Sequence, residues 1–332
     1  MGTIVKPIAT SATRDRSVDS LKGIGILLVV LGHVTMLPQG VHDFIYSFHI
    51  PLFFILSGYL YNPNKKQSIA QHVTSKFHSL LVPAWIMGLI CGIPFIFLLL
   101  FGKISTFEFV YRLYGTLVGI PKYESTFICT PIWFLFSLFF TSVIFQVMTD
   151  RLKRAGKYVA LTVGLIYILS TTYFKIQLPF NIGQSLAGLM FFSMGVFYKS
   201  IANELNTMKL ALFVFIFLSL YYVSSPIDIS ANIFGDSIFV AIVNISISCM
   251  AFIITKYISK KISCSMLVFF GSNTIPIIGF NYYINTFSTK TLSLLQIENV
   301  FINFTFQIII MFLLIMLIGK VSFLKSSLRV YA

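Results

Sequence analysis

Two histidines are the residues best placed to do chemistry. His33 lies in ILLVVLGHVTML and His49 in YSFHIPLFF, each within a strongly apolar run. Ionisable groups in such runs are costly in a bilayer and face a bundle interior or a wet cavity, which makes them functional candidates. An imidazole titrates near neutrality and suits proton transfer. His33 comes five residues before Pro38 and His49 five after Phe44. At 1.5 Å per residue each therefore falls about 7.5 Å from the same end of its helix. Matching depth favours one shared site over two separate interhelical hydrogen bonds, which is the packing use of such side chains.

Lys22 precedes His33 by 11 residues, about three helical turns plus 20°, so the two share a face at an axial separation of roughly 16.5 Å. Asp19 falls about 40° to the other side. One face of the first helix thus carries a charge pair at one end and an imidazole near the other. Taken alone, Lys22 also reads as a snorkelling anchor.

The elements that must hold these groups are membrane helices. Of 332 residues, 57% are hydrophobic and 10% charged, against about 25% charged in an ordinary soluble domain. A soluble globular protein is excluded. Ten apolar segments reach the ~17 to 25 residues that a spanning helix needs: 21–38, 44–61, 82–101, 131–148, 157–174, 183–200, 208–225, 236–256, 266–288 and 298–319. Their runs are continuous rather than alternating, which selects helices over a barrel. The expected fold is an all-α integral membrane protein, a bundle of about ten transmembrane helices. With the N-terminus inside, 19 of the 24 Lys and Arg fall on the inner side and five outside, a strong positive-inside signal that puts both termini in the cytoplasm.

The domain reading is a cytoplasmic tail over 1–20, a transmembrane domain over 21–319 and a second cytoplasmic tail over 320–332. Residues 62–81 read as an amphipathic helix on the cytoplasmic face, carrying Lys65, Lys66 and Lys76. Residues 102–130 read as an external cap rich in aromatics. The polar N-terminus lacks a cleavage pattern, so the first helix is expected to be a retained anchor. The net charge of +14 sits in short clusters without a continuous basic face, and no nucleic-acid partner is expected. Cys91, Cys129, Cys249 and Cys264 are too scattered for a disulfide framework or a metal site.

The segments DSLKGIGILLVVLGH and FHIPLFFILSGYLY, with PIWFLFSLF at 131–139, GLMFFSMGVFYK at 188–199 and GSNTIPIIGFNYYIN at 271–285, resemble the bacterial membrane-bound acyltransferase-3 family. The likeness is especially to its O-antigen O-acetyltransferase and fucose 4-O-acetylase-like members. The resemblance is densest over 15–62. It implies a ten-helix core with cytoplasmic termini, matching the count read from charge. It also implies functional roles for His33 and His49, and it matches the family pattern at Ser57, Gly58 and Tyr59. The family usually has Arg where this chain has Lys22, a change that loses bidentate recognition and keeps a cation. Where the family often has a late histidine, this chain reads Asn281, Tyr282 and Tyr283. The hydrolase-like domain fused to some relatives is not expected here.

The implied reaction is transfer of an acetyl group from cytoplasmic acetyl-CoA to a sugar hydroxyl of a lipid-linked or surface polysaccharide, at the bacterial inner membrane. Acetyl-CoA is the acyl-donor substrate and no cofactor is expected. Lys22, Asp19, Arg14 and Arg16 are the donor-binding candidates, with cations for the polyanionic nucleotide. A sugar hydroxyl needs a base, and His33 is the candidate, with His49 orienting it, polarising the thioester or exchanging roles with it. An acyl-imidazole relay is a further chemical option. Asn281, Asn285, Ser57 and Tyr59 are acceptor-side candidates, and Trp133 offers a stacking face or an interfacial anchor. The rival classes are a transporter or flippase, against which stands the lack of repeat symmetry, and a partner-binding remnant without activity.

Overall fold

A computed structural model of the chain describes residues 15–63, 67–176, 178–201, 207–262 and 264–331. Lys65 and Lys66 lie outside them. The described chain is helical, with one isolated β-bridge between Asp228 and Ile233. Each of the ten apolar segments falls on helix. Five helical stretches among the described residues are long and apolar enough to cross a membrane: Gln39–Tyr59, Ile69–Leu100, Thr130–Phe174, Ile238–Lys261 and Val300–Lys320.

Helix α1 (Arg16–Gly32) starts earlier than the apolar run, because Asp15 caps it by accepting from the Ser17 backbone N–H at 2.9 Å. It also stops earlier. His33 is its C-cap residue, and the chain turns through Met36 at φ 68° before Pro38.

The second apolar segment is not one helix. It holds only the end of α2 (Gln39–Tyr46), which begins five residues before it, and then α3 (His49–Tyr59). Pro51 explains the split: it has no N–H to give the Ser47 carbonyl, and its ring would crowd that carbonyl, so a helix cannot run through and a new one starts with proline in its first turn. The ninth segment breaks in the same way. Helix α12 (Ser265–Ser272) ends and α13 (Thr274–Leu294) begins with Pro276 in its first turn.

Helix α4 (Ile69–Lys76) runs through a π-helical turn at Phe77–Leu81 into α5 (Val82–Leu100). The separate interfacial helix expected over 62–81 is therefore the start of a 32-residue helix. Its polar face meets a neighbour, since buried His72 hydrogen-bonds Ser142 at 2.8 Å. Ser142 belongs to α7 (Trp133–Leu152), which reverses at Lys153 (φ 51°) into α8 (Gly156–Phe174).

Within the loop expected as a cap, α6 (Thr106–Val118) is capped by Ser105 and ended by Gly119 in the left-handed region at φ 70°. Arg112 bonds Glu108 and the Thr126 carbonyl, fastening the following loop to α6. The remaining helices are α9 (Ile182–Ile201), α10 (Thr207–Tyr221), α11 (Ile238–Lys261), α14 (Val300–Lys320) and α15 (Ser322–Ser327). The segment read as a tail after residue 320 packs against the bundle: Leu328 and Val330 are buried, and the Tyr331 N–H donates to Asn273 Oδ1 at 2.8 Å.

Glycines set the closest helix contacts, as is usual where no water drives helices together. A Cβ on Gly23 of α1 would overlap the Leu267 carbonyl oxygen of α12, and one on Gly271 of α12 would overlap the Asp19 carbonyl oxygen of α1. Helices α3 and α9 are locked in the same reciprocal way, Gly58 against Phe192 and Gly195 against Ile55. These two clamps hold the helices that end in the two histidines.

Candidate active site

Both histidines sit at helix ends rather than within helices. The α1 stop presents His33 and the α3 start presents His49, with ring centroids 6.4 Å apart and planes nearly perpendicular. They line one cavity of about 170 Å3 together with Tyr46, Tyr282, Trp133 and Asp228. His49 is 3% exposed and His33 is half-buried.

The hydrogen bonds differentiate the pair. His49 Nδ1 lies 3.0 Å from the Ile45 carbonyl oxygen, and because a carbonyl only accepts, Nδ1 is the protonated nitrogen. Its Nε2 then carries the lone pair. His33 Nδ1 is 2.9 Å from the Tyr46 hydroxyl. Where the phenol donates, His33 holds its proton on Nε2, so one ring accepts and the other donates. The Tyr282 ring stands edge-on to His33 at 4.7 Å, and Tyr46 lies 4.6 Å from His49.

Two connections and a helix close the cavity. The loop 120–132 contributes Tyr123 and Thr130. The turn after α10 contributes Asp228, whose carboxylate accepts from the Ser230 hydroxyl and the Ala231 N–H, and the same turn is tied to α2 by the Ile227 N–H on the Tyr46 carbonyl at 3.2 Å. Helix α13 contributes Ile278 and Tyr282.

Of the residues singled out from sequence, His33, His49 and Trp133 meet here, and the other described ones lie elsewhere. Lys22 is 3.5 Å from Asp19 at the other end of α1, and Asp19 is 2% exposed. Arg16 is exposed in the first turn, and Arg14 lies outside the described residues. Ser57 returns its hydroxyl to the Phe53 carbonyl at 2.8 Å. Tyr59 stacks under the Lys256 ammonium, 3.4 Å from its ring centroid, at the C-terminal end of α3. Asn285 accepts from Gln307 Nε2 of α14 at 2.9 Å, a helix-to-helix bond, and fully buried Asn281 does not line the cavity.

Tyr46, Tyr123, Tyr282 and Asp228 are the site residues that sequence reasoning missed. Tyr282 stands within the stretch where the late histidine was sought. Tyr46, three residues before His49, could have been found from the Pro51 break, which turns the end of α2 towards His49. Asp228 had no local signal.

Fold and site together define a polytopic helical membrane protein with a cavity that two imidazoles line. A family model described as an acyltransferase domain matches residues 15–320, and the chain belongs to the acyltransferase-3 family. It is 29% identical over 188 residues to the nodulation protein NolL of Mesorhizobium japonicum, an alignment covering 52% of this chain and 47% of that protein. The chain thus spans about half the length of that curated relative. No solved structure matches it.

Proposed function

We propose that this chain is a membrane O-acetyltransferase that carries an acetyl group from cytoplasmic acetyl-CoA to a hydroxyl of a lipid-linked or cell-surface polysaccharide of the O-antigen kind. The observation that carries the reading is the pair of complementary imidazoles facing one small cavity. His49 Nε2 takes the acceptor hydroxyl proton as the sugar oxygen attacks the thioester carbonyl carbon. The new C–O bond forms, the C–S bond breaks, and the imidazolium returns the proton to the leaving thiolate. His33, set by Tyr46, gives a hydrogen bond to the tetrahedral oxyanion. The base role thus falls to His49 rather than to His33.

The donor enters along α1 in this reading, with its phosphates at Lys22 and its thioester near His33, about 16.5 Å further along the same face. The membrane arrangement is ten crossings in a bacterial inner membrane with both termini cytoplasmic, supported by the 19 to 5 division of basic residues. Cysteine labelling should place Lys153, Lys260 and Arg329 inside and Arg112, Ile229 and Thr291 outside. One inverted position would break the ten-helix count.

The activity test is labelled acetyl-CoA supplied to membranes containing the protein. Label recovered in alkali-labile ester on glycan supports the reading. Glycan movement across the bilayer without ester formation would replace it with the transporter class.

A further inference from the structure

Two openings lie side by side at the histidine end of the bundle. The histidine cavity, about 170 Å3, is less than a third the size of its neighbour. Part of its wall, formed by Pro121, Asp228 and Ser230, also lines a second cleft of about 580 Å3. That cleft lies between the segment after α6, the segment entering α9 and the turn after α10.

The cleft is a built site. Asn181 and Gln184 are 4% and 5% exposed. Their amide nitrogens are committed to neighbouring loops: Asn181 Nδ2 donates to the Val118 and Gly119 carbonyls at 3.1 and 2.9 Å, and Gln184 Nε2 donates to the Ser230 carbonyl at 2.8 Å. These bonds lock both amides in one orientation. The two amide oxygens, Asn181 Oδ1 and Gln184 Oε1, are buried and receive no hydrogen bond among the described residues. Buried acceptors are ordinarily satisfied, so each such oxygen asks for a donor. Both residues line the cleft.

A ligand that matches must bring several O–H donors into a cleft of near-balanced charge, where Lys122 and Asp228 supply one charge of each sign. It must also present apolar C–H faces, because exposed Tyr114 and Phe180 complete the lining. A saccharide has both properties.

We propose that this cleft holds the sugar next to the one acetylated, so the acceptor is a saccharide of at least two units, with the reacting hydroxyl passed over Asp228 into the histidine cavity. The assignment rests on the saccharide-acceptor reading given above.

The test uses the full chain in lipid nanodiscs. The probes are surface glycan of the producing organism, freed of esters by mild alkali, and the monosaccharides released from that glycan by acid. One arm, without donor, measures retention of the glycan on immobilised protein. The parent retains it. Ala231→Trp, which fills the cleft from an exposed position, and Gln184→Met, which removes one orphan oxygen together with the Nε2 bond to the Ser230 carbonyl, each weaken retention at least about tenfold, the worth of one good hydrogen bond or more. The second arm measures acetyl transfer to both probes, and each variant raises KM for glycan about tenfold more than KM for the monosaccharides. No retention by the parent, or parental retention by both variants in monodisperse form, overturns the cleft assignment whatever the transfer arm shows. Retention by the parent without acetyl transfer sinks the catalytic reading alone and keeps the cleft as a glycan site.

Discussion

His33 and His49 meet edge to face, 6.4 Å between ring centroids, and only His49 has its Nδ1 held by a backbone carbonyl, that of Ile45. This asymmetry separates the two variants. General-base catalysis contributes about 10² to 10⁴ in rate, so His49→Ala should lower kcat by that order. His33→Gln, which keeps a side-chain N–H donor, should lose less. One hydrogen bond inside a membrane bundle contributes only about 0.6 kcal/mol on average, so both proteins should still fold. The measurement is acetyl transfer per mole of monodisperse protein, and turnover within threefold of the parent in His49→Ala would remove it from the mechanism.

Tyr46 offers a finer cut. Its hydroxyl reaches His33 Nδ1 at 2.9 Å while its ring packs on both imidazoles. Tyr46→Phe deletes the first contact and keeps the second. Losing a hydrogen bond of about 1.4 kcal/mol corresponds to about tenfold, expected in kcat with KM for acetyl-CoA unchanged. If kcat does not move, the phenol has no part in setting the His33 ring.

The apolar segments located the long helices that build this site, because each run is long enough to demand burial in lipid or protein, but of α2 they covered only the last three residues. What the sequence hid lies at the interruptions. A window that scores apolarity passes through Pro51 and Pro276 without noticing, yet at those positions the backbone loses an N–H and a helix must restart. That restart moves His49 from a helix interior to a helix end and brings Tyr46 beside it. Asp228 and Tyr123 come from connections whose approach depends on tertiary hydrogen bonds, such as Ile227 on Tyr46 and Arg112 on Thr126. No periodicity encodes such contacts. Asn285 shows the reverse case, a polar residue at an inviting depth whose amide oxygen is taken up by Gln307 of the next helix.

Lys22 tests the donor end. Its ammonium is 3.5 Å from Asp19 and its side chain 28% exposed. Lys22→Arg should retain activity. Lys22→Ala should raise KM for acetyl-CoA by roughly 10 to 100-fold, the worth of a charge-assisted hydrogen bond of about 1.5 to 3 kcal/mol, while KM for the glycan acceptor holds. An alanine variant with parental KM for acetyl-CoA returns Lys22 to the role of an anchor.

The histidine geometry depends finally on how closely the helices approach, and glycine substitutions measure that. At Gly58 a methyl group would overlap the Phe192 carbonyl oxygen, whereas around Gly40 of α2 nothing lies within 4 Å of the corresponding position. Both glycines are helical, so Gly→Ala gains comparable backbone entropy at each, about 0.4 to 1 kcal/mol where the site accepts a methyl. At Gly40 that gain should appear as an unchanged or slightly raised melting temperature. At Gly58 it is outweighed, because backbone against backbone cannot yield as a flexible side chain can, and overpacking of this kind costs typically ~1 to 3 kcal/mol. Gly58→Ala should therefore melt lower than the parent, and its kcat should fall with it, since α3 can relieve the overlap only by moving away from α9 and taking His49 along. Parental melting and turnover in Gly58→Ala would show that the α3 to α9 contact does not set the position of His49.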